Sequence, residues 1–330
     1  MALLATAVGC TDGSGMEGSD AGGGGGGDNT GLPCDPECRG AMMCNDDGQC
    51  VCAPGWGLGD ETCEAVTVSD PATRSREEVC ARWEEDRMFA TPLWTPGTGD
   101  MCDPGTVSFE AQVSGLRWLN FWRWMLGIGP VQVAPEVAEA EQQCAKLLGF
   151  EFSHSPSPET PCYTEEGAAA CGASLIASGH GLTGQLDAYA MEVDQNLVHR
   201  RNVLSVGRAG VWLGDAGGPA AMHYGGSYPA LESDPEIVAH PGPGLMIASM
   251  VPRTWFVQAG TTTIPPVDAR VFVADTDEEM PMTRGHYFGD FSSFSPEGWT
   301  PQLDTPYRIE LIDETNTPLA TWQTTFITCP

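Results

Sequence analysis

The sequence predicts an α+β fold with helices first and strands after, and three observations carry that expectation. Apolar residues recur at helical spacing between residues 75 and 197. Short strand-like runs follow at 209–213 and 220–224. Beyond residue 239 only strand-like runs remain, separated by Pro and Gly. This order suggests α+β rather than a doubly wound parallel sheet.

The first predicted helix covers 75–88, where Glu77, Glu78, Glu84 and Glu85 lie among Val79, Ala81 and Trp83. A second covers 115–125 and is dense in aromatics: Trp118, Phe121, Trp122 and Trp124, read as core. A third spans 135–148. Its apolar face is Val137, Ala138, Ala140, Ala145, Leu147 and Leu148, Pro135 suits a first turn, and Gly149 suits a cap. The fourth covers 183–197. The predicted C-terminal strands are 251–258, 269–274, 307–312 and 321–328, a small β-rich appendage in the form of a sandwich.

Composition sets the compartment and excludes partners. The chain has 330 residues and 13 Cys. Reducing compartments keep thiols free, so this count points to an exported protein with disulfides. Zinc knuckles need Cys-x-x-Cys pairs. None occurs, and the tightest pair is Cys50-Val51-Cys52. A formal net charge of −30 argues against nucleic acid or an anionic membrane surface as partner. Only the N-terminal run is strongly apolar, and it is too short to span a bilayer, so no transmembrane helix is expected.

Residues 1–10 end in Ala7-Val8-Gly9-Cys10, a short apolar run closing on small residues before a Cys. This resembles the lipobox of bacterial lipoproteins. The resemblance implies lipidation of Cys10 and an anchor in the cell envelope. A secretory signal with Cys10 incidental is the alternative. Residues 11–33, with Gly22 to Gly27 unbroken, cannot bury enough apolar surface to fold and read as a tether.

Residues 34–64 carry Cys34, Cys38, Cys44, Cys50, Cys52 and Cys63. So short a stretch lacks a core and needs crosslinks. The one-residue gap between Cys50 and Cys52, followed by Ala53-Pro54-Gly55-Trp56-Gly57, resembles an epidermal-growth-factor-like (EGF-like) module. That resemblance implies the pairs Cys34–Cys44, Cys38–Cys50 and Cys52–Cys63, and a spacer or contact role.

Three fragments of the main region, 65–238, belong together. They are Asn120-Phe121-Trp122-Arg123, then Phe152-Ser153-His154-Ser155, then His199-Arg200-Arg201-Asn202-Val203-Leu204. In this order they resemble the CAP superfamily of cysteine-rich secretory, antigen 5 and pathogenesis-related proteins, in its bacterial form. The resemblance covers about residues 115–225. It implies an α-β-α sandwich with a cleft where two histidines and two acids can hold a divalent ion such as zinc. His154 and His199 match the histidines, while Asn120, Arg123, Arg200 and Asn202 are fold-motif positions.

The usual Gly-Glu-Asn is missing, and Gly172-Ala173-Ser174 stands there instead. The candidate acids are therefore Glu166, next to Glu165, and Glu192 or Asp194 ahead of His199. Glu165 and Glu166 also read as helix-start charges, and the other acids as solvated. His180 is expected in a loop, His223 and Tyr224 in sheet packing, and His240 and His286 in the appendage. Arg200 and Arg201 are expected to hold backbone carbonyls. No serine elbow, nucleotide loop or His-Glu-x-x-His occurs.

The resulting expectation is a non-catalytic CAP-domain protein, envelope-anchored or secreted, that binds a lipid, glycan or protein. Two alternatives stand beside it. One is a metal-dependent hydrolase using His154 and His199 with Glu166 or Glu192 as base. The other is adhesion through residues 239–330. If Cys10 takes lipid and six cysteines close the small module, six remain, with 15 possible connectivities. Cys80–Cys102, Cys162–Cys171 and Cys144–Cys329 are the expected pairs.

Overall fold

The computed structural model describes residues 42–44, 49–58, 63–89, 93–178, 181–193, 197–227, 231–265 and 267–330. Cys10, Cys34, Cys38, His180 and Asp194 lie outside them, and so do the expected Cys34–Cys44 and Cys38–Cys50 pairs. The protein contains both helices and strands, as an α+β chain should.

The N-terminal part is two small antiparallel pairs. Strand β1 (Met42–Cys44) pairs with β2 (Cys50–Cys52), and β3 (Trp56–Leu58) pairs with β4 (Cys63–Ala65). Cys52 is bonded to Cys63. This part is not detached. Ala53 is 1% exposed within the main core, and the Trp56 indole donates to the Val131 carbonyl at 3.3 Å.

Helix α1 (Arg76–Asp86) starts where the Ser75 hydroxyl accepts from the Glu78 amide, capping an otherwise orphan donor. A short pair follows, β5 (Trp94–Thr95) with β6 (Thr106–Val107). Helix α2 (Phe109–Met125) begins six residues earlier than the sequence predicts, because Ser108 caps it through the Ala111 amide. Gly115 does not interrupt it. A Cβ there would meet the Leu213 side chain at 2.3 Å, so the missing side chain lets helix and sheet approach.

Strand β7 (Gln132–Val133) leads through a 3-10 turn to α3 (Ala138–Leu148). Helix α4 (Glu165–Ala173) is not among the four predicted helices, although its start agrees with the reading of Glu165 and Glu166 as helix-start charges. Thr164 caps it through the Gly167 amide, and Glu165 and Glu166 sit in its first turn. Strand β8 (Ser174–Ala177), α5 (Gly181–Ala190), α6 (Val198–Val203), β9 (Arg208–Asp215) and β10 (Ala220–Ser227) complete this half. The single helix expected over 183–197 is thus α5 alone, and Leu197 takes a left-handed φ of 48° before α6.

These strands form one sheet in the order β7-β9-β10-β8, with β10 antiparallel to both neighbours and β7 parallel to β9. Alternation splits its side chains between two helix layers. Leu175, Ala177, Val211, Leu213, Met222 and Tyr224 join the large core with α2 and α5. Ile176 and Ala221 join a separate small core with Cys144, Ala145, Leu147 and Leu148 of α3 and Ala170 and Cys171 of α4.

The C-terminal part has β11 (Ile237–His240), β12 (Gly244–Ile247), β13 (Trp255–Ala259), β14 (Asp268–Val273), β15 (Glu278–Met280), β16 (Met282–Phe288), β17 (Phe291–Pro296), β18 (Pro306–Ile312) and β19 (Pro318–Ile327). One sheet runs β11-β13-β17-β16 and the other β12-β19-β18-β14-β15. They enclose Ala239, Val257, Phe294 and Leu311. Phe256, Phe291, Tyr307 and Phe326 extend the large core that starts at α2. The expected boundary at 238–239 falls inside β11.

The remaining disulfides correct the expected pairs. Cys80 is bonded to Cys329, Cys102 to Cys162, and Cys144 to Cys171. The expected Cys80–Cys102, Cys162–Cys171 and Cys144–Cys329 pairs are therefore not formed. Short sequence separation misled for physical reasons. Cys144 and Cys171 are both fully buried where α3 packs on α4, with Cα atoms 5.2 Å apart. Cys171 faces that core from inside a helix, so it cannot also reach Cys162 in the turn before it. The chain end after β19 returns to α1, which brings Cys329 to Cys80 with Cα atoms 5.2 Å apart. Disulfides persist outside reducing compartments, so these four bonds point to a secreted or extracellular protein. Among the described residues, no helix is long and apolar enough to cross a membrane.

Candidate functional site

The fold-motif residues are structural ties. Asn120, 3% exposed, donates to the Pro54 carbonyl at 2.7 Å and the Val131 carbonyl at 2.9 Å, and accepts from the Val131 amide at 2.8 Å. It therefore fastens the small disulfide module to α2. Arg123, 1% exposed, donates to the carbonyls of Gly129, Val203 and Ser205 and to the Tyr224 hydroxyl. Tyr224 donates in turn to Val203. Asn202 bonds the Val198 carbonyl and receives Arg208. Arg200 reaches the Thr254 carbonyl at 2.5 Å and His240 Nδ1 at 2.6 Å. Arg201 departs from expectation: its guanidinium pairs with the Asp290 carboxylate at 2.6 Å rather than with a carbonyl.

His199 opens α6. Its Nδ1 meets Glu192 Oε1 at 2.7 Å, and its ring stacks on Tyr189 at 5.1 Å between centroids. The second Glu192 oxygen accepts the Arg200 amide at 3.1 Å, which satisfies a free donor at the start of α6. Glu192 therefore orients the imidazole and caps the helix at once. The His199 side chain stays 30% exposed.

His154 lies elsewhere, against α4. Its Nδ1 meets the Cys171 carbonyl at 2.8 Å and the residue is exposed. Glu166 is an exposed first-turn residue of α4. Among the described residues, no group of three or more His, Cys, Asp or Glu is arranged to hold a metal ion. His154, His199, Glu166 and Glu192 therefore form no such group, although the Nδ1 partner of each ring would leave its Nε2 free. The described members of that set offer no zinc site, and Asp194, the other candidate acid, lies outside the described residues.

The structure assembles a different polar cluster. Glu141 of α3 is 1% exposed, and its Oε1 accepts the Ser174 hydroxyl at 2.6 Å. His223 Nδ1 lies 3.7 Å from the same oxygen. Ser174 and His223 are register partners on β8 and β10 and face the α3–α4 layer. Glu141 Oε2 is buried without a hydrogen-bond partner. Burial pushes the Glu141 carboxyl up to about 7, against the smaller opposing effect of the Ser174 bond. His223 is held below the usual imidazole range, chiefly by burial. Gly214 permits this close packing, because a Cβ there would meet the Glu141 carbonyl oxygen at 2.5 Å.

Sequence reasoning passed over this cluster, although a signal existed. Glu141 precedes Cys144 and Ala145 by three and four residues, so it lies on the buried stripe of its helix. An acid on such a stripe is either paired or perturbed. His223 sits on the sheet as expected, but it faces an ionisable group. No protein-family model matches the chain, and neither does any curated protein.

Proposed function

We propose that the chain is an exported, disulfide-braced binding protein of CAP-like architecture, with an EGF-like spacer and a lipid anchor at Cys10. The observation that supports binding over turnover is where the motif side chains point. Asn120, Arg123 and Arg200 are buried and bonded mainly to backbone carbonyls. Both oxygens of Glu192 are engaged. A hydrolase needs groups free to bond a substrate or to move its protons.

The partner is a lipid, glycan or protein of the cell exterior, met through exposed apolar side chains. Tyr287 and Phe288 are 40% and 69% exposed at the β16–β17 turn, on an edge strand whose outer residues face solvent. This supports adhesion through the C-terminal sheets as the route of binding. Exposed aromatics concentrate contact energy at interfaces.

Purified full-length protein should co-sediment with envelope fractions. Paired Tyr287→Ser and Phe288→Ser substitutions should lower retention about tenfold. Retention unchanged by the substitutions removes the hairpin as the contact. A hydrolytic activity that His199→Ala abolishes removes the binding reading itself. A Cys10→Ala chain that stays with membranes removes the anchor.

A further inference from the structure

The α3–α4 layer rests on the sheet in a way the rest of the molecule does not. Its core is separate and small, with Cys144, Ala145, Leu147, Leu148, Ala170, Cys171, Ile176 and Ala221 as its buried members. Alanines and a half-cystine pair make up most of it, so the apolar area holding this layer down is modest. Cys144–Cys171 ties the two helices to each other. That bond makes no link to the sheet; the layer's other ties are Cys102–Cys162 ahead of α4, the Gln142 amide, which exchanges hydrogen bonds with the Asp215 backbone, and the direct run of α4 into β8. Between this layer and the sheet lies Glu141, with one carboxyl oxygen on Ser174 and the other unpartnered.

We propose that the α3–α4 layer is a pH-operated flap, fastened to the sheet when Glu141 carries a proton and loosened when it does not, so that Ser174 and His223 are uncovered. This inference goes beyond the binding reading and does not depend on it.

The charged and titratable neighbours decide the sign. From β10, His223 faces Glu141, and Glu136 ahead of α3 acts on that imidazole. From α5, Tyr189 is close enough for Glu141 to raise its hydroxyl further, an effect second to burial. On α3 itself, Glu139 and Lys146 occupy the first and last turns. On α4, Glu165 and Glu166 are exposed. His154 faces the Cys171 carbonyl. Asp215, at the end of β9, bonds the amides of Leu182 and Gly217 and the Gln142 side chain. No cation among these bonds the buried carboxylate.

Glu141 ionises near 4.5 when exposed and at about 7 when buried. Opening therefore takes up no proton below 4.5, releases one between 4.5 and 7, and is independent of this group above 7. His223 acts in the opposite sense at acid pH. Its buried form resists protonation, so acid favours the open state through that ring.

The test is hydrogen–deuterium exchange of the oxidised full-length protein, followed by mass spectrometry and corrected for intrinsic rates. Protection in peptides from 138–148 and 165–173 should fall as pH rises from 5 to 7, with a ceiling of about 40-fold. Protection across α2 should change far less. Glu141→Gln should flatten the profile, His223→Asn should steepen it, and His154→Asn should leave it alone. A flat wild-type profile overturns the proposal without any variant. A fall that is equal in α2, or that persists in Glu141→Gln, overturns it too.

Discussion

Removing the bridge between Cys80 and Cys329 by a paired Cys80→Ala, Cys329→Ala substitution should cost more stability than removing any other described disulfide. The two residues are 249 apart in sequence, so the bond closes most of the described chain into one loop. Loop-closure entropy grows with the logarithm of length and gives about 5 kcal/mol for a loop of this size. The Cys102–Cys162 bond shortcuts that loop across a separation of 60. Through the logarithm this trims the figure by only about 0.2 kcal/mol. For Cys144–Cys171, with a separation of 27, the same reasoning gives about 3.5 kcal/mol. Equilibrium urea denaturation under oxidising conditions, read by tryptophan fluorescence, measures both losses. The expected order is Cys80–Cys329 above Cys144–Cys171. A reversed order, or a loss below about 1 kcal/mol for the long bridge, refutes the loop argument. Non-reducing peptide mapping that joins Cys80 to Cys102 refutes the pairing beneath it.

Two further outcomes are expected. Glu141 has a folded value of about 7 against 4.5 for the free group, so its contribution is present in acid and lost as pH rises through 7. The stability of Glu141→Gln relative to wild type should therefore climb between pH 4.5 and 7, by up to about 3 kcal/mol. Denaturation midpoints across that range check it, and a constant difference would contradict it. Asn120→Ala removes three hydrogen bonds between α2, Pro54 and Val131. At about 1 kcal/mol each, the small module should be cleaved faster by protease near residues 53–58, while far-ultraviolet dichroism is retained.

The parts of the fold legible in the sequence were those where one physical signal dominates. Helices α1 and α3 show apolar periodicity closed by a cap or a proline, and β14, β18 and β19 show clustered β-formers between turn residues. The start of α2 was missed because the dense aromatic run begins at Trp118, whereas the cap is Ser108 and Gly115 sits inside the helix to admit Leu213. Strand β16 was illegible because its outer residues are exposed and nothing in their pattern alternates. The disulfides were illegible in principle, since connectivity follows packing and not spacing. The candidate site divides the same way. Glu192 was legible as a neighbour of His199 because one short segment carries both. Glu141, Ser174 and His223 come from three elements, and only the α3–sheet contact joins them.

The buried Arg200 shows why these layers have fixed positions. Burial pushes the Arg200 guanidinium down to about 9, and Glu192 only partly opposes this. Its side-chain acceptors are the carbonyls of Thr254 and Glu192 and the His240 ring. His240 accepts because burial, and then Arg200 itself, holds it well below the usual imidazole range, leaving Nδ1 with a free lone pair. A neutral ring and two carbonyls repay the burial of a charge only when donor directions match acceptor positions. A planar fork can point at Thr254 and His240 together, whereas an ammonium group is a point charge without that fixed fan of donors. The seam between α6 and the C-terminal sheets is therefore directional, and apolar packing alone would allow it to slide. A chain ending at residue 238 would lack His240, Thr254 and Phe256, and would strip Arg200 of two acceptors and of the ring it packs against. The helical half and the C-terminal strands hold each other in place in part through this residue, a link that a boundary drawn on the change from helical to strand-like runs does not reveal.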